Sequence, residues 1–263
     1  MPPLLHYDVH GETGPFVLLV HGMLSSRAQW VENVPALVSA GYRPVVAELL
    51  GHGRSPSPSD GAVYTPAAYV EHFEDIRRSL GAERWYVIGQ SLGAGLTLRY
   101  ALVHPERIIA QVFTNSNSAL AGGEFFARVR ASTARVAEEV ARRGRAVMAE
   151  NRLNPARSRS IPEHVRAALA ADFELHSPTG YALTGIHTTA HVPVRDEVHA
   201  NRVPALLVAG MREESFRPAV AWARANMPCL EVVEADGGHA VNIQAAATFN
   251  AAVIDFFQRH GPD

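Results

Sequence analysis

The chain has no lysine: all 24 of its basic side chains are arginine, set against 26 acidic ones, for a formal net charge of −2. So even a balance gives no broad attraction to nucleic acid or to an anionic membrane surface. The arginines are spread along the chain, and the one local cluster, Arg142 to Arg145, reads as the solvated face of a helix. Cysteine is almost as scarce. With Cys229 alone, no intrachain disulfide and no multi-cysteine metal site can form, which suits a reducing compartment. No stretch approaches the ~18 uninterrupted apolar residues of a membrane helix, and Met1 to His6 show no basic segment leading into an apolar run. A cytoplasmic protein with no membrane partner is expected. At 263 residues, 47% hydrophobic and 19% charged, the chain suffices for one large core, or a core with a small accessory lid.

What is present alternates. Phe16 to His21 is a short apolar run, followed by a glycine and a helical pattern from about Arg27 to Ala40. The unit recurs with a strand at Arg43 to Glu48 and a helix from about Pro66 to Leu80. It recurs again with Trp85 to Gly89 and Leu92 to Val103, and a further strand follows at Ile108 to Phe113. Buried strands alternating with helices predict a mostly parallel sheet covered on both faces. From about Ser118 to Thr189 the strand signal disappears, and helical patterns over Glu124 to Asn151 and Pro162 to Phe173 predict an insertion. The alternation resumes with strands at Ala205 to Ala209 and Leu230 to Glu234, and with helices near Arg217 to Asn226 and Ala240 to Arg259. Residues 1–117 and 190–263 are thus expected to form the core and 118–189 a helical cap.

One strand runs straight into Gly89-Gln90-Ser91-Leu92-Gly93 and then a helix. A serine at such a turn adopts an uncommon backbone conformation that lifts its hydroxyl out of the sheet, and the flanking glycines let turn and helix approach closely. A hydroxyl is a weak nucleophile at neutral pH, so a base and an orienting carboxylate should follow it in the order Ser, acid, His. Among thirteen histidines, His239 stands out, because Gly237 and Gly238 let the chain bend after a strand. The acid belongs after the strand ending at Ala209, where Glu213 and Glu214 lie side by side. Glu213 is favoured by its spacing from Gly210 and Phe216; Asp196 and Asp236 are more distant candidates. The N–H groups of Leu92, at a helix start, and of Met23, beyond Gly22, supply two donors for a developing oxyanion. His21 and His52 read as structural, hydrogen-bonded groups. Leu24, Phe125, Phe126, Met148, Tyr181 and Val241 are candidate substrate contacts, and most such cap apolar residues equally well pack helices on the core.

The His21-Gly22 loop, Gly51 to Ser55, the Gly89 to Gly93 elbow, Gly210 to Phe216 and Gly238 to Asn242 together resemble the α/β-hydrolase superfamily, in its branch of small cap-bearing esterases. The resemblance covers nearly the whole chain. It implies an eight-stranded, mostly parallel sheet, a triad of Ser91, Glu213 or Glu214, and His239, and a cap at about Ser118 to Thr189. Glutamate stands where aspartate is commoner. Serine rather than aspartate at the elbow argues against dehalogenase and epoxide hydrolase branches. The chain also looks similar to the menaquinone-pathway synthase family but lacks the arginine that family places shortly after the elbow. The expected activity is hydrolysis of a small apolar ester, lactone or thioester with neither metal nor organic cofactor. C–C bond hydrolysis, elimination on the same triad, and ligand binding without turnover are the alternatives, and the oligomeric state is left open.

Overall fold

The computed structural model describes residues 3–261, so residues 1–2 and 262–263 of the expected core spans lie outside the described residues. Seven strands form one sheet: β1 Tyr7–Val9, β2 Phe16–Val20, β3 Arg43–Ala47, β4 Trp85–Gly89, β5 Ile108–Thr114, β6 Ala205–Gly210 and β7 Leu230–Ala235. Their order is β1-β3-β2-β4-β5-β6-β7, antiparallel only between β1 and β3. The expected eight strands are therefore corrected to seven. The described residues ahead of Tyr7 include Pro3, which has no N–H to give a ladder, and they form no strand.

Between and after the strands lie the helices α1 Val34–Ser39, α2 Pro66–Ser79, α3 Leu92–Val103, α4 Asn117–Leu120, α5 Gly123–Arg143, α6 Arg145–Glu150, α7 Glu163–Phe173, α8 Pro178–Leu183, α9 Arg217–Asn226, α10 Val241–Gln244 and α11 Ala246–Arg259. Alternate strand residues serve opposite faces. Leu18, Val20, Trp85 and Val87 pack with Tyr69 and Phe73 of α2 and Leu96 and Tyr100 of α3. Val17, Leu19, Tyr86 and Ile88 pack instead with Leu37 of α1 and Phe249, Val253 and Phe257 of α11. This two-sided cover explains why β4, β5 and β6 are apolar or buried along their whole length.

All of the regular structure between β5 and β6 is helical. The long helical run expected over Glu124 to Asn151 is two helices, because Gly144 adopts φ +56° and ends α5 before α6 begins. The helical stretch between β5 and β6 bonds to the rest of the chain at several places, two of them buried and close-packed. Ser26 Oγ donates to Asp172 of α7 at 2.8 Å, beside a cluster of Ala28, Val165, Leu169 and Ile243. At the second, Ser177 N donates to Gly51 O at 2.9 Å, and the backbones touch so closely that a Cβ on Gly180 would come within 2.5 Å of the Gly51 Cα. Only glycine fits there.

Candidate active site

Strand β4 ends at Gly89 and α3 begins at Leu92, so Gln90 and Ser91 must reverse the chain in two residues. Ser91 does so at φ +53°, ψ −114°, a conformation an L-residue adopts at a cost of order 1–3 kcal/mol. The neighbours leave no slack. A Cβ on Gly93 would lie 2.2 Å from Val20 O, and one on Gly89 would lie 2.3 Å from Thr97 Oγ1, so β2, β4 and α3 meet only because both positions are glycine. The Ser91 carbonyl accepts from Ser116 Oγ at 2.6 Å, tying the turn to the end of β5.

His239 lies on the loop after β7, half-buried, with its Nε2 2.9 Å from Ser91 Oγ. Gln90 Nε2 donates to the His239 carbonyl at 3.1 Å, so the residue beside the serine also holds the histidine's backbone. Just beyond, Asn242 is fully buried: its Nδ2 donates to Gln29 O and Asn33 Oδ1, and its Oδ1 accepts from Gln29 Nε2. That clamp fixes the start of α10 against the loop after β2. Its signal in the sequence was only an asparagine in an apolar run.

Of the two adjacent glutamates, the structure brings Glu213 to the histidine, with Oε2 3.0 Å from His239 Nδ1. Glu214 is exposed, one residue further into a 3-10 turn. Asp236, the other nearby candidate, pairs with Arg212 in solvent, and Asp196 is also exposed. Glu213 is held from behind by a residue the sequence did not single out. Asn115, completely buried at the end of β5, donates through Nδ2 to Glu213 Oε2 and to Gly210 O, both at 2.9 Å, and accepts from Gly210 N at 2.8 Å. Burial pushes the Glu213 carboxyl up, but the hydrogen bond and charge of His239 and the amide of Asn115 outweigh it, and its pKa lies below the ordinary value.

Gly22 brings the loop after β2 against the elbow: a Cβ there would stand 2.9 Å from the Ser91 Cβ and 2.5 Å from Gln90 Oε1. Two buried histidines shape this loop. His21 bonds Gly22 O through Nδ1 and accepts from Leu49 N through Nε2; His52 bonds Leu50 O through Nδ1 and accepts from Leu24 N through Nε2. Burial pushes both down to about 3, each helped by a neighbouring histidine, so both are neutral acceptors. His176 continues the chain of rings 5.0 Å from His52 and accepts from Gly53 N. Among the described residues the N–H groups of Met23 and Leu92 have no protein acceptor.

A cavity of about 950 Å³ opens above Ser91, bounded by the core on one side and the insertion on the other. Met23, Leu92, Phe125 and Tyr181 line it. Four expected substrate contacts lie elsewhere. Leu24, at φ +58°, and Met148 are buried in a cluster with Val140 and Phe173; Phe126 is buried beside Phe125; Val241 is fully buried in the core beneath the sheet. Each is an apolar side chain spent on packing, the ordinary fate of such residues.

A sequence model of the α/β-hydrolase fold family matches residues 15–246, and the chain belongs to that family. Over 96 residues, 36% of this chain and 27% of the other, it is 35% identical to epoxide hydrolase B of Mycobacterium tuberculosis. Its matches span only 27% to 42% of the lengths of the first curated relatives. Among solved structures it is similar to MenH from S. aureus, with a TM-score of 0.84 at 17% identity over 97% of this chain and 98% of that one. It is also similar to a thermophilic esterase from Thermogutta terrifontis, with a TM-score of 0.82 at 23% identity over 98% and 94%.

Proposed function

We propose that the chain is a serine hydrolase that cleaves a carboxylic ester, lactone or thioester through an acyl-enzyme on Ser91. The observation that carries this reading is the continuous relay from Ser91 Oγ to His239 Nε2 at 2.9 Å and from His239 Nδ1 to Glu213 Oε2 at 3.0 Å, at a backbone-strained elbow beneath a cavity. His239 Nδ1–H donates to the Glu213 carboxylate, which leaves Nε2 as the base for the serine proton. Ser91 Oγ attacks the acyl carbon, and the oxyanion is received by the Met23 and Leu92 N–H groups. Collapse breaks the acyl–oxygen or acyl–sulfur bond, and His239 returns its proton to the leaving group. Water, activated by the same histidine, then releases the acid and regenerates Ser91.

The likeness to an epoxide hydrolase does not redirect this reading. A hydroxyl stands at the elbow where that branch is expected to carry a carboxylate, and the relay supplies what a hydroxyl needs. The helices between β5 and β6 serve as a cap that closes the acyl pocket. The test is hydrolysis of p-nitrophenyl esters of increasing acyl length by the unmodified protein, Ser91→Ala and His239→Ala. Clear turnover lost in both variants supports acyl transfer. Absence of turnover, or an active Ser91→Ala, refutes it.

A further inference from the structure

The cavity holds more positive charge than acyl transfer uses. Arg128, Arg152 and Arg195 line it, while the one acidic side chain on its wall, Glu213, is already engaged by His239 and Asn115. None of the three guanidinium groups has a carboxylate partner among the described residues. A protein of net charge −2 thus concentrates three uncompensated cations around one pocket.

The three arrive from separate elements. Arg128 sits on the stripe of α5 that faces the cavity, together with Phe125, Val129, Ser132 and Val136, spaced three or four residues apart. Arg152 follows α6 and is exposed. Arg195 differs from both in being half-buried and fixed. Its guanidinium lies 3.8 Å over the Trp222 ring, and Nη1 donates to Leu120 O at 2.6 Å. The stacking and that one bond hold the plane, while Nε and Nη2 have no protein acceptor. A preorganised planar fork with two free donors matches the two oxygens of a carboxylate and loses little freedom on binding one.

We propose that the substrate carries, besides its scissile acyl group, a free carboxylate that Arg195 receives through two hydrogen bonds, with Arg128 and Arg152 completing a cationic rim. The substrate class is therefore a half-ester of a dicarboxylic acid, or a lactone or thioester bearing a carboxylate, with an apolar stretch between its two ends lying along Phe125, Val129 and Val136. This inference rests on the acyl-transfer reading for the scissile group but not for the anion site.

The test compares two esters of matched length, p-nitrophenyl hexanoate and mono-p-nitrophenyl adipate, by kcat/KM at low salt. The unmodified protein is expected to favour the adipate ester, with a preference that shrinks as salt rises. Arg195→Gln should lower the adipate-to-hexanoate ratio by about 10- to 100-fold, the range for hydrogen bonds to a charged group. Arg195→Lys, which keeps the charge but not the fork, should fall between. Arg128→Gln and Arg152→Gln, more exposed, should lower it by about two- to five-fold. Arg135→Gln, on α5 but away from the cavity, should leave the ratio unchanged. Hydrolysis of the hexanoate ester with no preference for adipate, or a preference that survives Arg195→Gln in a folded variant, overturns the anion site and leaves acyl transfer standing. If neither ester is cleaved, acyl transfer falls, and calorimetry with adipate itself decides the anion site. Binding that is lost in Arg195→Gln upholds it, and no binding overturns it.

Discussion

Mild acid should destabilise this protein steeply, because His21, His52 and His176 are buried as neutral groups. Burial pushes His21 and His52 down to about 3, and burial with the charge of His21 pushes His176 down to about 4. In the unfolded chain each titrates near the ordinary value of about 6.5. Below that pH the unfolded state binds protons that the folded state refuses, so stability is full above about pH 6.5 and falls as pH drops toward 3 to 4. At pH 5 each histidine costs about 2 kcal/mol, at roughly 1.4 kcal/mol per pH unit. Three acting independently cost about 6 kcal/mol, comparable with the whole stability of many domains. Down to about pH 3 the folded His52 stays neutral and its Nε2 keeps accepting from Leu24 N, so the loss at pH 5 is one of global stability and not of local structure. The assay is urea unfolding at pH 7.5, 6.5, 5.5 and 5.0, repeated on His176→Gln, whose amide oxygen can still accept from Gly53 N. The unmodified protein should take up at least about three protons on unfolding at pH 5.0 to 5.5, because His72, which burial also holds below its ordinary value, adds to these three, and the variant should take up about one fewer. A change in unfolding free energy of less than about 2 kcal/mol between pH 6.5 and 5.0 would refute the reasoning.

Other expectations concern the relay. Glu213→Gln should lower kcat by about 10³- to 10⁴-fold, because an amide both removes the charge facing His239 and can impose the wrong ring tautomer. Glu214→Gln should stay within about two-fold, since the side chain is exposed and makes no hydrogen bond; equal losses in the two variants would sink the assignment of the acid. Asn115→Ala should cost about 1–3 kcal/mol of stability by leaving the Gly210 backbone unpaired. It should also release Glu213 from its rear support, so kcat falls while KM holds, and a denaturation midpoint with initial rates on one ester measures both. An unchanged kcat in a destabilised Asn115→Ala would show that the residue supports the fold alone.

Most of the architecture was legible because its elements are bounded by local signals. Trp85–Gly89, Leu92–Val103 and Arg217–Asn226 have the limits that their apolar pattern and flanking residues suggest. The helix expected from Arg27 to Ala40 is instead a 3-10 turn over Arg27–Trp30 followed by α1, because the buried Asn33 side chain bonds Asn242 O and Asn250 Oδ1, partners more than 200 residues away. Likewise the last helix breaks at Ala245 into α10 and α11. Strand β1, three residues long and only partly buried, has too short a pattern to detect and exists by pairing with β3. At the site, the glycine-flanked turns revealed Ser91 and His239 as a pair to be brought together. Spacing from Gly210 and Phe216 already favoured Glu213 over Glu214, but only geometry shows which of two adjacent residues with one chemistry faces His239. Asn115 and Arg195 were invisible for a related reason: each matters through contacts with segments distant in the chain.

The stripe of α5 facing the cavity has an evolutionary corollary. Phe125, Arg128, Val129, Ser132, Thr133 and Val136 shape the pocket, yet the helix holding them lies wholly outside the sheet and its flanking layers. Mutations on that stripe can redraw which molecules fit without disturbing the strands and loops that hold Ser91, Glu213 and His239. Part of the pocket wall is thus carried by a stretch of chain separate from the one that holds the relay and can vary on its own, whereas Met23, Leu92 and Arg195 tie the rest of the wall to the sheet and the helices packed on it.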